Sequence, residues 1–166
     1  MTNTSIRSER GILKMANGNI TIENARLLFR NFAGKEGPYN AAGSRNFNVV
    51  LNPEDAEVMK QQGWNVRYLQ PRDPEDEPLP ILKVKVNMDG DYPPQIFQIT
   101  SAGKTRLNKD TVANLDWAEF QNVDLVISPY HYEIHGRTGI TAYLKALYAT
   151  IVEDDLAAKY YDMPER

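Results

Sequence analysis

The feature that most restricts the fold is a pair of alternating segments near the C-terminus, separated by a tight turn. Residues 130–135 and 140–151 alternate in the period of two that a β-strand requires, and Gly136-Arg137-Thr138-Gly139 between them predicts a hairpin. On the second strand the side chains expected to face the core are Ile140, Ala142, Leu144 and Ala146. Those expected to face outward are Thr141, Tyr143 and Lys145.

The same alternation predicts further strands along the chain. They are expected at residues 19–29, 45–51, 64–69, 81–88, 95–100 and 123–128. A phase shift near Asn24 predicts a bulge or bend in the first of them. Asn52 and Pro53 are suited to begin a helix, and Gly63 to end it. A second short helix is expected at residues 108–120.

Many strands with few helices indicate a mainly β fold, either a small partly open barrel or a sandwich. A length of 166 residues predicts one domain. Residues 1–17 are polar, contain no signal-peptide pattern and are expected to be a flexible N-terminal segment. The β domain is expected at residues 18–152 and an acidic C-terminal tail at 153–166.

The composition excludes several classes of protein. The chain has no cysteine, which rules out a disulfide framework, a thiolate metal site and a cysteine nucleophile. No apolar run is long enough to span a membrane, so a cytoplasmic location is expected. Neither a Gly-x-Ser-x-Gly elbow nor a Walker-type loop is present, and no enzymatic activity or cofactor is predicted.

The charge is unevenly distributed although the net charge is only -3. Residues 1–50 are basic, whereas residues 73–77 and 153–166 are acidic. Single-stranded nucleic acid is bound by cations that hold phosphates and by aromatic rings on which bases stack. The basic first third supplies candidates for both roles: Arg26, Arg30, Phe32, Lys35 and Arg45. Lys83 and Lys85 share one strand face, as Tyr143 and Lys145 do, although outward lysines on strands are often merely solvated.

A metal site is a less favoured alternative. His131, Glu133 and His135 would share one face of a strand, and two histidines with a carboxylate can hold zinc or iron. Neighbouring same-face positions lie about 7 Å apart on a strand, which suits few tight chelates.

The C-terminal hairpin resembles that of bacteriophage single-stranded-DNA-binding proteins. The resemblance rests on Val-Asp-Leu-Val-Ile-Ser-Pro-Tyr-His-Tyr at residues 123–132, followed by Gly-Arg-Thr-Gly-Ile-Thr-Ala-Tyr-Leu-Lys-Ala-Leu at residues 136–147. It implies an OB-like, partly open five-stranded barrel with two or three short helices and an acidic tail. It also implies base stacking on Tyr130, Tyr132 and Tyr143. The residues implied to contact phosphates are Lys83, Lys85, Arg137 and Lys145.

The leading hypothesis is therefore non-sequence-specific binding of single-stranded DNA in phage replication or recombination, in the host cytoplasm. The expected partners are single-stranded DNA and, through the acidic tail, replication or recombination proteins; no membrane partner is expected, and a homo-oligomer is left open. The first alternative is a protein-interaction module, such as a phage inhibitor of a host factor, that ignores nucleic acid. The second is a metal enzyme that uses the two histidines and Glu133.

Overall fold

The structure is a computed structural model that describes residues 18–153 and the backbone of two short strands at residues 6–7 and 12–14. Most of the N-terminal segment 1–17 and of the acidic tail 153–166 therefore lies outside the described residues, and both expectations stay predictions. Within the described part of the chain, no helix is long and apolar enough to cross a membrane.

The described residues form eleven strands, one α-helix and one short 3-10 helix. The first strands are β1 (Ile6–Arg7), β2 (Ile12–Lys14), β3 (Ile20–Ile22), β4 (Leu27–Asn31) and β5 (Arg45–Val50). Helix α1 (Pro53–Gln62) precedes β6 (Val66–Leu69), β7 (Leu79–Val86), β8 (Gln95–Thr100) and β9 (Gly103–Leu107). The 3-10 helix (Val112–Asp116) leads into β10 (Phe120–Ile134) and β11 (Arg137–Ile151).

The sheet curls because the segment that contains β3 and β4 pairs with β10 at one end and with β5 at the other. β3 is antiparallel to β10, and the Ala25 amide donates to the Val123 carbonyl at 2.7 Å. Asn24 has a positive φ of 50° and lies between β3 and β4, where the bend is predicted. β4 then pairs with β5. Neighbouring strands in the sheet follow the order β3-β10-β11-β7-β5-β4. The chain is mainly β, and this architecture is consistent with the expected OB-like fold.

The predicted C-terminal hairpin is confirmed as β10 and β11, which pair over their whole length. β11 also pairs in parallel with β7 near Tyr143 and with β8 from Ala146 onward. A register shift opposite Val126 and Ile127 leaves Lys145 unpaired in β11, which makes it the extra residue of a bulge. Ile140, Ala142 and Leu144 face the core as predicted, but after the bulge Leu147 and Ala149 are the buried residues. The expectation for Ala146 is therefore wrong, because the bulge reverses the alternation.

Helix α1 forms where the sequence predicts it. The Asp55 amide donates to the side-chain oxygen of Asn52 at 2.8 Å, and Gly63 ends the helix with a φ of 105°. The Ile140 amide donates to the Gly63 carbonyl at 2.8 Å, and the Asn65 amide donates to the Ile140 carbonyl at 3.2 Å. The end of the helix is thereby fixed against the start of β11.

The predicted helix at residues 108–120 is wrong in length. Only Val112–Asp116 is helical, as a 3-10 turn, and Phe120 already belongs to β10. The Asn108 side chain accepts from the Asp110 and Thr111 amides, and such local bonds compete with a helix. The two or three short helices of the expectation thus reduce to one α-helix and this turn within the described residues. Strand β9 has no alternating apolar pattern and was not predicted.

Candidate nucleic-acid interface

The outward face of β7, β10 and β11 holds a groove at the centre of the sheet. Tyr143 on β11 is paired with Lys85 on β7, and Thr141 with Tyr130 on β10. Paired residues share a face of the sheet, so their side chains project together on the side away from the core. We call this the tyrosine groove. It is lined by Asn65, Arg67, Lys83, Lys85, Tyr130, Tyr132, Ile134, Thr141 and Tyr143.

Three tyrosine rings form one wall of the tyrosine groove. Tyr130 and Tyr143 meet edge to face with ring centroids 5.8 Å apart, and 58% of Tyr130 is exposed. The Tyr132 hydroxyl donates to the Asn65 side-chain oxygen at 3.1 Å, which fixes that ring across β11. A Cβ at Gly139 would overlap the Tyr132 hydroxyl, so the glycine leaves room for this ring to cross the strand without shifting. This wall of the groove thus combines the exposed ring of Tyr130 with the ring of Tyr132, which its hydrogen bond to Asn65 holds in place.

The opposite wall is cationic. Lys83 and Lys85 are two residues apart on β7, and Arg67 enters from β6, which pairs with β7. Among the described residues that line the tyrosine groove, there is no aspartate or glutamate. Cations facing aromatic rings are the combination that holds an unpaired polynucleotide, since phosphates and bases are bound by different walls.

A second groove continues from the first along β11. It shares Tyr130 and Tyr143 with the tyrosine groove, and the loop before β8 forms its other side. We call it the proline groove; its remaining lining residues are Asn87, Asp91, Tyr92, Pro93, Pro94, Gln95, Ser128, Pro129, Leu144, Lys145 and Ala146. Lys145 projects here because it is the extra residue of the bulge. Lys83, Tyr143 and Lys145 therefore lie along one connected surface.

The candidates in the basic first third lie apart from both sets of lining residues, and three of them have structural contacts. The Arg30 guanidinium donates to the carbonyls of Leu115 and Ala118 at 2.8 and 2.6 Å. That of Arg45 donates to the Phe32 carbonyl at 2.5 Å and the Lys109 carbonyl at 3.2 Å. Phe32 is fully buried and stacked on Phe47, with ring centroids 5.2 Å apart. A buried ring cannot stack on a base, so the prediction for Phe32 is wrong and this ring belongs to the core.

The other predicted residues are exposed but lie outside the two grooves. The Lys35 ammonium is 5.3 Å from the centre of the Trp117 ring, and 80% of Trp117 is exposed. Arg26 is exposed between β3 and β4. Arg137 lies at the hairpin turn and pairs with Ile134, which lines the tyrosine groove. Arg137 is therefore the nearest of these cations to the groove.

Sequence reasoning did not select Asn65 and Arg67 as site residues. Both lie between α1 and β7. Arg67 reaches the groove because β6 pairs with β7, and Asn65 because its amide donates to the Ile140 carbonyl at the start of β11. The only local signal that Arg67 faces outward is its alternation with the half-buried Val66 on β6. That signal does not tell which part of the surface a side chain joins.

The metal-site alternative is not supported. Among the described residues, no group of three or more histidine, aspartate and glutamate side chains could hold a metal ion. The prediction assumed that three ligands share one strand face. β10 ends at Ile134, however, and His135 adopts a positive φ of 52° in the turn, so it leaves the alternation that His131 and Glu133 follow.

Comparison with known proteins identifies the family to which the chain belongs. A family model described as "Putative phage ssDNA-binding domain" matches residues 11–166. The chain belongs to this family of phage single-stranded-DNA-binding domains. A search of curated protein sequences found no match.

Solved structures support the fold. The single-stranded DNA-binding protein from bacteriophage Enc34, in complex with ssDNA, aligns with a TM-score of 0.59 and 11% identity, covering 91% of this chain and 96% of that one. Another structure of the Enc34 protein aligns with a TM-score of 0.58 and 12% identity, covering 98% and 100%. At this identity the likeness concerns the fold alone.

Proposed function

We propose that the chain binds single-stranded DNA without sequence specificity in the tyrosine groove and the adjoining proline groove. The observation that carries the proposal is the meeting of Tyr130 and Tyr143 with Lys83 and Lys85 on one outward face. Side chains from strands distant in sequence converge there, and the lining of the tyrosine groove carries no carboxylate. This surface suits a chain of phosphates and unpaired bases.

Each wall has its own role. Bases stack on Tyr130 and Tyr143, and Tyr132 supports them from its fixed position beside Asn65. Lys83, Lys85 and Arg67 neutralise phosphates on the opposite wall. Lys145 continues the phosphate contacts into the proline groove, and Arg137 does so at the hairpin end. Stacking is tolerant of sequence because every base has an aromatic face.

The biological setting is also part of the proposal. The segment of residues 20–31 together with β5, β7, β10 and β11 acts as a partly open five-stranded OB barrel, within a single domain of residues 18–152. We infer that it coats DNA during phage replication or recombination in the host cytoplasm and catalyses no reaction. The acidic tail recruits replication or recombination proteins, and self-association into a homo-oligomer is compatible with coating. The Enc34 relative, solved with ssDNA, supports the binding part of this inference.

The test is a titration of fluorescent oligo-dT at several salt concentrations, with duplex DNA alongside. Binding is expected for the single strand and to weaken with salt, because each neutralised phosphate releases counterions. In Lys83→Ala/Lys85→Ala the slope of log K against log salt is expected to fall in magnitude by about 1.4, at about 0.7 per phosphate contact on a single strand.

Lys60→Ala is the matched control, because Lys60 is exposed on α1 and its ammonium lies over the Tyr68 ring, 5.3 Å from the centroid. It should leave the slope unchanged. Equal slopes for the groove variant and the wild type would reject the tyrosine groove as the phosphate-binding site. A wild-type protein that binds no oligonucleotide would instead favour the protein-interaction module.

A further inference from the structure

A second group of rings and cations lies on β8, β9 and β11, outside both grooves. Phe97 on β8 and Tyr148 on β11 are stacked, with centroids 5.4 Å apart and planes 10° from parallel. The Lys104 ammonium lies 4.6 Å from the centre of the Phe97 ring. Arg106 on β9 is the direct cross-strand partner of Phe97. We call these four residues the hairpin patch: Phe97, Lys104, Arg106 and Tyr148.

The hairpin patch lies on the same outward face as the tyrosine groove. On β11 the bulge at Lys145 moves the outward positions from Thr141 and Tyr143 to Ala146 and Tyr148, because Leu147 and Ala149 are buried. Ala146 and its partner on β8, Gln95, both line the proline groove. Tyr148 and its partner Phe97 are the next outward pair along the same strands. The proline groove therefore connects the hairpin patch to the tyrosine groove.

The hairpin patch has two exposed cations. In the described part of the chain, the carboxylates next to it are those of Asp124 and Glu153. Lys104 and Arg106 are both exposed. Asp124 is the partner of Tyr148 on β10, and its side chain accepts from the Asn24 amide at 2.9 Å. Glu153 lies at the β8–β9 turn, where it accepts from the Ser101 amide at 2.9 Å. Each acid is thus held in place by a backbone amide rather than by Lys104 or Arg106, whose side chains stay exposed.

We propose that the hairpin patch is a second contact segment for the same DNA strand, which passes from the tyrosine groove over the proline groove to β8 and β9. The proposal rests on the function proposed above. Tyr143 and Tyr148 are about 16 Å apart along β11 at the usual strand rise. A strand long enough to fill both segments therefore gains contacts that a short one cannot reach. The patch lengthens the binding site without changing the grooves.

The test compares two oligo-dT lengths, one of about four and one of about 16 nucleotides, which span the site sizes of OB folds. In Lys104→Ala/Arg106→Ala the Kd for the long oligonucleotide is expected to rise about tenfold, because two phosphate contacts are lost. The Kd for the short one is expected to stay at the wild-type value, since the tyrosine groove is unchanged. Both substituted side chains are exposed, and a thermal melt checks that the variant is folded.

Lys60→Ala serves again as the control, because it removes a cation from a ring on a different part of the surface. Wild-type affinity of the double variant for both lengths would overturn the second contact segment and leave the proposed function intact. An equal loss for both lengths would also overturn it, because the patch would then belong to the short site. Failure of the wild-type protein to bind either length would refute the proposed function itself.

Discussion

The tyrosine groove and the basic segment of residues 26–45 contain the same kinds of side chain but use them differently. In the groove, Lys83, Lys85 and Tyr130 project from strand faces toward solvent. In the basic segment, Arg30 and Arg45 donate to backbone carbonyls, and Phe32 is in the core. A cation that already donates to protein carbonyls has fewer donors left for a phosphate. The difference between the two regions can be measured, because the tyrosine groove should govern the affinity for DNA and the basic segment the free energy of unfolding.

The largest expected effect is on the rings of the groove. Tyr130→Ala/Tyr143→Ala removes two stacking surfaces worth about 1–3 kcal/mol each, so affinity for oligo-dT should fall by about thirtyfold or more. Tyr143→Phe keeps the ring and should bind nearly as the wild type does. Fluorescence titration measures both, with a thermal melt as the check on folding. Equal binding by the double variant and the wild type would remove the contrast between the regions.

The second largest effect is expected in the basic segment, where a substitution should lower stability and leave DNA affinity unchanged. Arg30→Ala leaves the carbonyls of Leu115 and Ala118 without their donor and removes the contact of the guanidinium with the Phe120 ring. Hydrogen bonds to charged groups suggest a loss of about 2–3 kcal/mol in the free energy of unfolding. Urea denaturation measures it, and oligo-dT affinity at a temperature where the variant is folded should be unchanged. A weaker Kd with unaltered stability would assign Arg30 to the DNA.

The smallest effect concerns the position of one ring. Gly139→Ala places a methyl group where the Tyr132 hydroxyl lies, so the ring must shift and lose its hydrogen bond to Asn65. A loss of about 1 kcal/mol in stability is expected from such overpacking, with a few-fold weaker binding. Gly37→Ala is the control, because a Cβ there meets no atom within 4 Å. Indistinguishable results for the two variants would show that Tyr132 need not be fixed.

Local patterns predicted the hairpin, the bend at Asn24 and both ends of α1, because each depends on residues close in sequence. They could not predict that Arg67 joins Lys83, since that contact depends on the pairing of β6 with β7. Nor could they reveal that Arg30 is satisfied by carbonyls 85 and 88 residues away. For β7 and β11, alternation predicted which side chains share the outward face of one strand, but not that the two strands are neighbours. Tyr130 and Tyr132 on β10 were implied by the family resemblance.

The unpaired Lys145 in β11 has a consequence for how this chain tolerates insertions and deletions. If β11 kept Lys145 but paired it in regular register, without the bulge, every later side chain would change sides. Leu147 and Ala149 would then point into water, while Tyr148 would be forced against the interior. Deletion of Lys145 would instead close the bulge into a regular ladder and keep Leu147 and Ala149 in the core. The bulge is therefore the position at which β11 can lose one residue without reversing its faces.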